Sequence, residues 1–326
     1  MGLFGNKMDQ LRISGEHTEA LIRFLEEWFN GKEYVKAYTS GSTGTPKQIK
    51  LLKSDMIVSA RRTISFFGLD SGSILALPLG VDYIAGKMMI CRALESGAEV
   101  WVEMPSRNLL TEFQGDRIDL LSIVPSQIDS LIKRCRHINV RNTIIGGAPM
   151  TDEDERKLMD HGLTAYATYG MTETCSHVAL RKIGSPIYTA LPGIKFGTDS
   201  DGCLIIYCQD MSIGRIDTND IVRLLSDTQF EWLGRRDNVI NSGGIKLHPE
   251  VIEQKLSGVI EFPYYISSRK SNIWGEELIL VIESDRKLDI ESSLIELLNP
   301  IERPKAIIYE TAFNRTNSGK IIRKRF

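Results

Sequence analysis

What the chain does without narrows its options first. None of its 326 residues falls in an apolar run long enough to span a bilayer, and residues 1–10 lack the apolar core of an export signal, so neither a membrane span nor secretion is expected. The five cysteines (Cys91, Cys135, Cys175, Cys203, Cys208) are odd in number, scattered and without a CxxC pair. That excludes a disulfide framework and reads as free thiols in a reducing, cytoplasmic setting. Five histidines (His17, His137, His161, His177, His248) show no ligand spacing, so no structural metal is expected. No charge of one sign dominates either: 40 Lys and Arg against 42 Asp and Glu leave a net of −2. Nucleic acid is therefore not an expected partner, although Arg323-Lys324-Arg325 could be misread that way. Repeats and low-complexity tracts are missing too.

What is present alternates between strand-like and helix-like segments, which predicts an α/β layered fold of more than one domain. Helices are expected from Thr18 to Asn30, from a Ser54 cap through Phe67, over Tyr83 to Leu94, and after a Thr151–Asp154 capping box. Strands are expected at 74–77, 99–102, 120–124, 143–145 and 164–168. After Arg181 the pattern shifts to short strands and turns, including 203–207, 221–225 and 230–233. A smaller unit follows, with a helix opened by Pro249, strands at 259–266 and 278–282, and a helix near 290–298. The expected division is a large α/β domain, 1–233, and a small mobile α+β domain, 234–326, joined by a hinge at 234–238.

The segment Tyr38-Thr39-Ser40-Gly41-Ser42-Thr43-Gly44-Thr45-Pro46-Lys47 carries the most chemistry. Gly41 and Gly44 let backbone N–H groups turn inward, the hydroxyls of Thr39, Ser40, Ser42 and Thr43 add donors, and Lys47 adds a point charge, so the loop suits a polyphosphate. It is not a Walker A loop, because Pro46 precedes the lysine and Gln48 follows it. Three further motifs follow in order: Tyr169-Gly170-Met171-Thr172-Glu173; Gly234-Arg235-Arg236-Asp237 leading to Asn241-Ser242-Gly243-Gly244; and Asn314 to Lys320, ending Asn317-Ser318-Gly319-Lys320.

In this order the four motifs resemble those of the acyl-adenylate-forming enzymes: acyl-CoA synthetases, amino-acid adenylation domains and luciferases. The resemblance spans residues 38 to 320 and implies an ATP- and Mg2+-dependent ligase with CoA as co-substrate. By that resemblance Thr39 to Thr43, Gly44 and Lys47 would hold the β- and γ-phosphates, Thr172 the α-phosphate, and Glu173 the Mg2+. Tyr169 would stack on adenine beside the turn Gly146-Gly147-Ala148-Pro149. Asp220 would accept the ribose hydroxyls with Arg235 assisting, and the unusual Asn219 before it would be tolerated because Asn adopts positive φ. Lys320 would be the catalytic lysine, Asp237 the hinge, and Gly243-Gly244 the lining of a pantetheine tunnel. Taken singly, Tyr169 reads equally as a half-buried aromatic, Asp237 as a turn cap and Lys320 as a solvated lysine after a turn.

The acid pocket is less legible. The helix over Tyr83 to Leu94 is apolar nearly all round yet carries Lys87 and Arg92, and a buried Arg needs an anion, from the protein or from a substrate. The run Leu77 to Leu94, with Val124-Pro125-Ser126-Gln127, is similar to the O-succinylbenzoate-CoA ligases of menaquinone synthesis, whose substrate has a second carboxylate. That resemblance makes Lys87, Arg92, Ser126 and Gly170 candidate substrate contacts. Another acyl- or aryl-CoA ligase, an amino-acid adenylation domain using Asp82 for the amine, and a catalytically silent nucleotide-binding protein stay open. Only about 37 residues precede the phosphate loop, fewer than in most family members, so a second copy of the chain is one way to cover the bare face.

Overall fold

The computed structural model describes residues 11–38, 48–315 and 321–326. Among these, twelve strands form one sheet, ordered Arg12–Gly15, Glu99–Val102, Ile74–Leu77, Leu120–Ile123, Thr143–Ile145, Ala165–Gly170, His177–Lys182, Ile187–Ala190, Gln229–Arg235, Gly214–Ser226, Cys203–Cys208 and Lys195–Thr198. As far as Ala165–Gly170 each pair is parallel, and from there on each is antiparallel. The parallel strands read as short apolar runs because both of their faces are covered, and Leu120–Ile123 and Thr143–Ile145 are buried throughout.

Helices α1 (Glu19–Phe29), α2 (Lys53–Phe67) and α3 (Ile84–Ser96) lie on one side, where Leu21, Phe24, Trp28, Met56, Met88 and Met89 enter a common core with Leu75, Leu77 and Val100. Helices α4 (Ile128–Arg134) and α5 (Asp152–Asp160) cover the other face through Ile128, Leu131 and Leu158. Local chemistry sets the helix ends. The Thr18 hydroxyl accepts from the Leu21 amide at 3.1 Å to start α1, and Thr151 and Asp154 form the expected reciprocal box before α5. Helix α3 stops at Gly97, whose φ of +71 is costly for a residue with a β-carbon.

Beyond Arg235 the chain builds a second sheet, five-stranded among the described residues, from Ile240–Ser242, Ile245–Leu247, Tyr264–Ser271, Gly275–Glu283 and Ala306–Glu310. Helices α6 (Pro249–Lys255) and α7 (Glu291–Leu297) close its core with Ile252, Leu256 and Leu294.

Three expectations need correction. Ser54 does not cap α2, which starts at Lys53 behind Leu52 with no side-chain cap; the hairpin of Tyr34–Tyr38 and Gln48–Leu52 runs straight into the helix. The strand expected at 259–266 begins only at Tyr264, because 256–259 tighten into turns after α6. Asn219 does not adopt positive φ: it lies within the strand Gly214–Ser226, and its side chain accepts from Arg236 at 2.6 Å. The cysteines Cys91, Cys175, Cys203 and Cys208 are buried and Cys135 is half-buried. No helix among the described residues is long and apolar enough to cross a membrane.

Candidate functional site

The change from parallel to antiparallel pairing locates the site. Three neighbouring parallel strands end on the same edge, in Val124-Pro125-Ser126, in Gly146-Gly147-Ala148 and at Gly170, and a crevice at the carboxyl ends of parallel strands is where α/β sheets receive ligands. Gly147 has φ +84, and a β-carbon there would press within 3.3 Å of Val124 Cγ1, so the first two turns abut. A β-carbon on Gly146 would run into Thr168 Oγ1, leaving Ala148 and Ser126 exposed at the rim.

Gly170 sits at an irregularity in the pairing of Ala165–Gly170 with His177–Lys182. An added β-carbon would lie 2.5 Å from His177 Cα and on the Ser176 carbonyl, both backbone, so the position admits only glycine. Gly170→Ala should destabilise the chain by about 1–3 kcal/mol through overpacking. Thermal unfolding checks this; an unchanged Tm would mean the bulge relaxes freely. Past the bulge, Thr172-Glu173-Thr174 makes a tight turn, with the buried Thr174 hydroxyl accepting from Met171 N at 3.0 Å and donating to Ser176 O at 2.6 Å. The turn closes at Cys175, a non-glycine residue at φ +62. It leaves Thr172 half-exposed and Glu173 exposed toward solvent. No group of three metal-ligating side chains occurs among the described residues, so Mg2+ at Glu173 would complete its shell with phosphate oxygens and water, which suits that ion.

Asp220 is buried and accepts from Tyr169 Oη at 2.7 Å and Trp232 Nε1 at 3.3 Å, with the Arg235 Nη1 charge 3.7 Å away. Arg235 stands opposite it in the strand register, and its other nitrogen reaches Asp237 Oδ2 at 3.1 Å, so one guanidinium joins the candidate ribose carboxylate to the candidate hinge. Burial first, and then the Asp220 charge, push the Tyr169 phenol well above its ordinary range, so it stays protonated and donates. The Tyr169 ring is held edge-on by Phe230 at 5.1 Å and Tyr188 at 5.8 Å. Trp232 escaped sequence reasoning; its one signal is that it lies on the strand next to that of Asp220.

On α3 the two cations part company. Five residues apart on a helix, they point in different directions. Lys87 Nζ lies 4.9 Å over the Phe24 ring of α1, and burial lowers its pKa. Arg92, 1 % exposed, donates through Nη2 to Ser176 Oγ at 2.8 Å, while its Nε has no partner. No carboxylate among the described residues pairs with it, and burial holds its pKa down to about 10, still cationic at neutral pH. Ser176 also meets His177 Nδ1 at 3.4 Å, and His177 Nε2 lies 3.0 Å from Thr63 Oγ1; burial first, then Arg92, keep this imidazole neutral. Ser176 carries no sequence signal, and Gln127 appears there only as the end of Val124-Pro125-Ser126-Gln127 with no part assigned. Gln127 is buried and pins the Ser126 turn by donating to Pro78 O at 3.2 Å and Ser106 O at 2.7 Å.

Gly243 and Gly244 form the turn between Ile240–Ser242 and Ile245–Leu247, at φ +58 and +80, and a β-carbon on Gly244 would meet nothing within 4 Å. Thr39, Ser40, Gly41, Ser42, Thr43, Gly44, Lys47 and Lys320 lie outside the described residues.

Residues 32–204 match the AMP-binding enzyme family. The 2-succinylbenzoate–CoA ligase of Lactococcus lactis is 25 % identical to the chain over 98 % of it and 79 % of the relative, and that of Listeria monocytogenes is 26 % identical over 92 % and 71 %. Among solved structures, an AMP-forming acyl-CoA synthetase/AMP-acid ligase II-like protein from Dyadobacter fermentans aligns with TM-score 0.63 and 32 % identity, covering 94 % of this chain and 93 % of that one. The O-succinylbenzoate coenzyme A synthetase of Bacillus subtilis, solved with ATP and magnesium, shares the fold at TM-score 0.77 and 19 % identity over 88 % of this chain and 68 % of that one. The family match takes in more than half of the 326 residues and runs through the crevice, from the hairpin before it to the bulge at Gly170 and beyond; the chain belongs to the AMP-binding enzymes.

Proposed function

We propose that the chain is an AMP-forming acid–thiol ligase that activates 2-succinylbenzoate with ATP and transfers the acyl group to CoA, a step of menaquinone biosynthesis. The observation that carries the choice of acid is Arg92: a buried guanidinium with no carboxylate beside it, next to Ser176 and the Gly170 bulge, is suited to a substrate that brings a second carboxylate. The relatives named as 2-succinylbenzoate–CoA ligases support the same acid. Asp82, which an amino-acid substrate would need for its amine, is instead exposed and paired with Arg23 at 3.2 Å.

In the first half-reaction a substrate carboxylate oxygen attacks the α-phosphorus of ATP and pyrophosphate leaves. Charge grows on phosphoryl oxygens, and fixed cations and N–H donors must meet it in place. Thr39 to Thr43, Gly44 and Lys47 hold the leaving phosphates, Thr172 contacts the α-phosphate, and Lys320 reaches the reacting oxygens. Mg2+, held at Glu173, neutralises phosphate charge when bound. The base lies against Tyr169 over Gly146-Gly147-Ala148, and the ribose hydroxyls donate to Asp220, whose oxygens already have their orientation set by Tyr169 and Trp232. Ser126 and Gly170 border the acid, whereas Lys87, expected there from the sequence, is turned away from Arg92 onto the Phe24 ring. In the second half-reaction the CoA thiol attacks the acyl carbonyl and AMP leaves, with Gly243 and Gly244 lining the approach of the pantetheine arm.

A lysine needed for the first step would obstruct the second, so residues 238–326 swing against the large domain about Asp237. Proline fixes φ, so Asp237→Pro should leave adenylation measurable and block thioester formation. Acyl-CoA made at the normal rate by this variant would remove Asp237 as the pivot. The proposal includes a cytoplasmic homodimer, to be checked by light scattering. Pyrophosphate release with ATP, a panel of acids and CoA present or absent tests the whole reading: 2-succinylbenzoate should give the highest rate, and a monoacid preferred over it would overturn the substrate.

A further inference from the structure

Residues 321–326 follow Lys320 directly and are tied down one after another. Ile321 pairs with Arg315 across an antiparallel bridge, Arg323 takes both oxygens of Glu253 at 2.5 and 2.7 Å, Lys324 Nζ reaches both Glu310 oxygens at 3.1 Å, and the Phe326 amide donates to Ser268 O at 2.9 Å. Ser267 Oγ donates to the Lys324 carbonyl. Arg325 does something different. It reaches from the terminal segment to the turn between the two sheets, and its Nη2 donates to Asp237 O and Val239 O, each at 3.1 Å. Its Nη1 donates to Glu276 Oε1 at 2.9 Å. Glu276 accepts Ser268 Oγ on that same oxygen at 2.8 Å and the Asn241 amide on the other at 2.9 Å, at the root of the Gly243-Gly244 turn.

The arrangement has a mechanical meaning. The Asp237 carbonyl belongs to the rigid peptide plane beyond both backbone torsions of Asp237. Anchoring that plane, and the one after Val239, to segment 321–326 leaves Asp237 φ and ψ as the torsions that turn at the junction once the Val239 amide's bond to Arg236 O, 3.2 Å and spanning Asp237, opens. We infer that Arg325 is a positioning residue that confines the swing of residues 238–326 to Asp237, so that the segment after Lys320 and the Gly243-Gly244 turn travel in fixed relation. This rests on the reading of Asp237 as the hinge. A planar fork on two carbonyls and a carboxylate fixes direction in a way a lysine cannot. Its side chain is 55 % exposed, so the contact with Glu276 adds little to stability, and the effect belongs in rate rather than in Tm.

The test uses the full-length chain. Arg325→Ala should lower kcat of both half-reactions about tenfold with KM for ATP changed by less than about twofold, since misplacing a reacting group by about 1 Å acts on kcat. Amide exchange across 238–241 and 321–326 should accelerate about tenfold, with 165–182 unchanged and Tm unmoved. Arg325→Lys should recover only part of the rate. Normal rates and exchange in Arg325→Ala, alongside a thioester block in Asp237→Pro, overturn the clamp and leave the hinge standing. A lowered Tm with full rescue by Lys also overturns it, because that is a merely structural charge. Normal thioester formation in Asp237→Pro removes the hinge, and the clamp with it.

Discussion

Replacing Lys320 with alanine should cut acyl-adenylate formation by on the order of 100-fold or more, while largely sparing CoA transfer from supplied acyl-adenylate. Its ammonium meets the charge that builds on the α-phosphoryl group during adenylation, and the swing about Asp237 that admits the thiol carries it away before the second half-reaction. The residues that bracket the lysine's segment are firmly placed. Glu283 takes the Arg315 guanidinium at 2.8 and 2.5 Å and the Phe313 amide at 2.6 Å. Those contacts, the guanidinium first, hold the Glu283 carboxyl at about 2, so it stays ionised through the working range. Equal loss in the two half-reactions, measured separately by pyrophosphate exchange and by thioester formation, would sink the role given to Lys320.

The second large effect belongs to Arg92, and it has an unusual sign. A buried cation without a protein anion is costly in the empty enzyme, so Arg92→Met, close in volume and apolar, should keep or raise Tm while turnover of 2-succinylbenzoate falls by about 100-fold. ATP binding should be unchanged, because Asp220, the proposed adenosine seat, lies on another strand and bonds Tyr169 and Trp232 rather than Arg92. Benzoate-like monoacids should lose little. An arginine serving the fold would show the opposite: a drop in Tm, and the same fall for every acid.

Much of this architecture is legible in the sequence for reasons that can be named. The parallel strands announce themselves because burial on both faces makes them apolar runs, and Thr151 with Asp154 marks a helix start by chemistry that is entirely local. The strand expected from Val259 failed because an apolar stretch does not say where a turn ends, and α6 closes through Leu256 into turns before Tyr264. Asn219 misled because its neighbour's family pattern suggested a turn, whereas the register of Asp220 with Arg235 keeps it extended. Single motifs located Tyr169, Asp220 and Arg235, and the fold brings them together. Trp232 and Ser176 carry no motif, and Gln127 only ends one, because their part depends on which strands and turns become neighbours. Arg325 could not be read at all, since its partners lie 49 to 88 residues away.

The cysteines gain a meaning once a thiol co-substrate is in view. A thioester forming inside a protein could be captured by the protein's own thiolates. Here four of the five sulfurs are buried, and burial raises every thiol pKa, Cys135 to about 11 and Cys175 to about 12. At neutral pH almost none of them is a nucleophile. The incoming pantetheine is thus the most reactive sulfur in the vicinity, and the catalyst is guarded against acylating itself or trapping its co-substrate as a mixed disulfide.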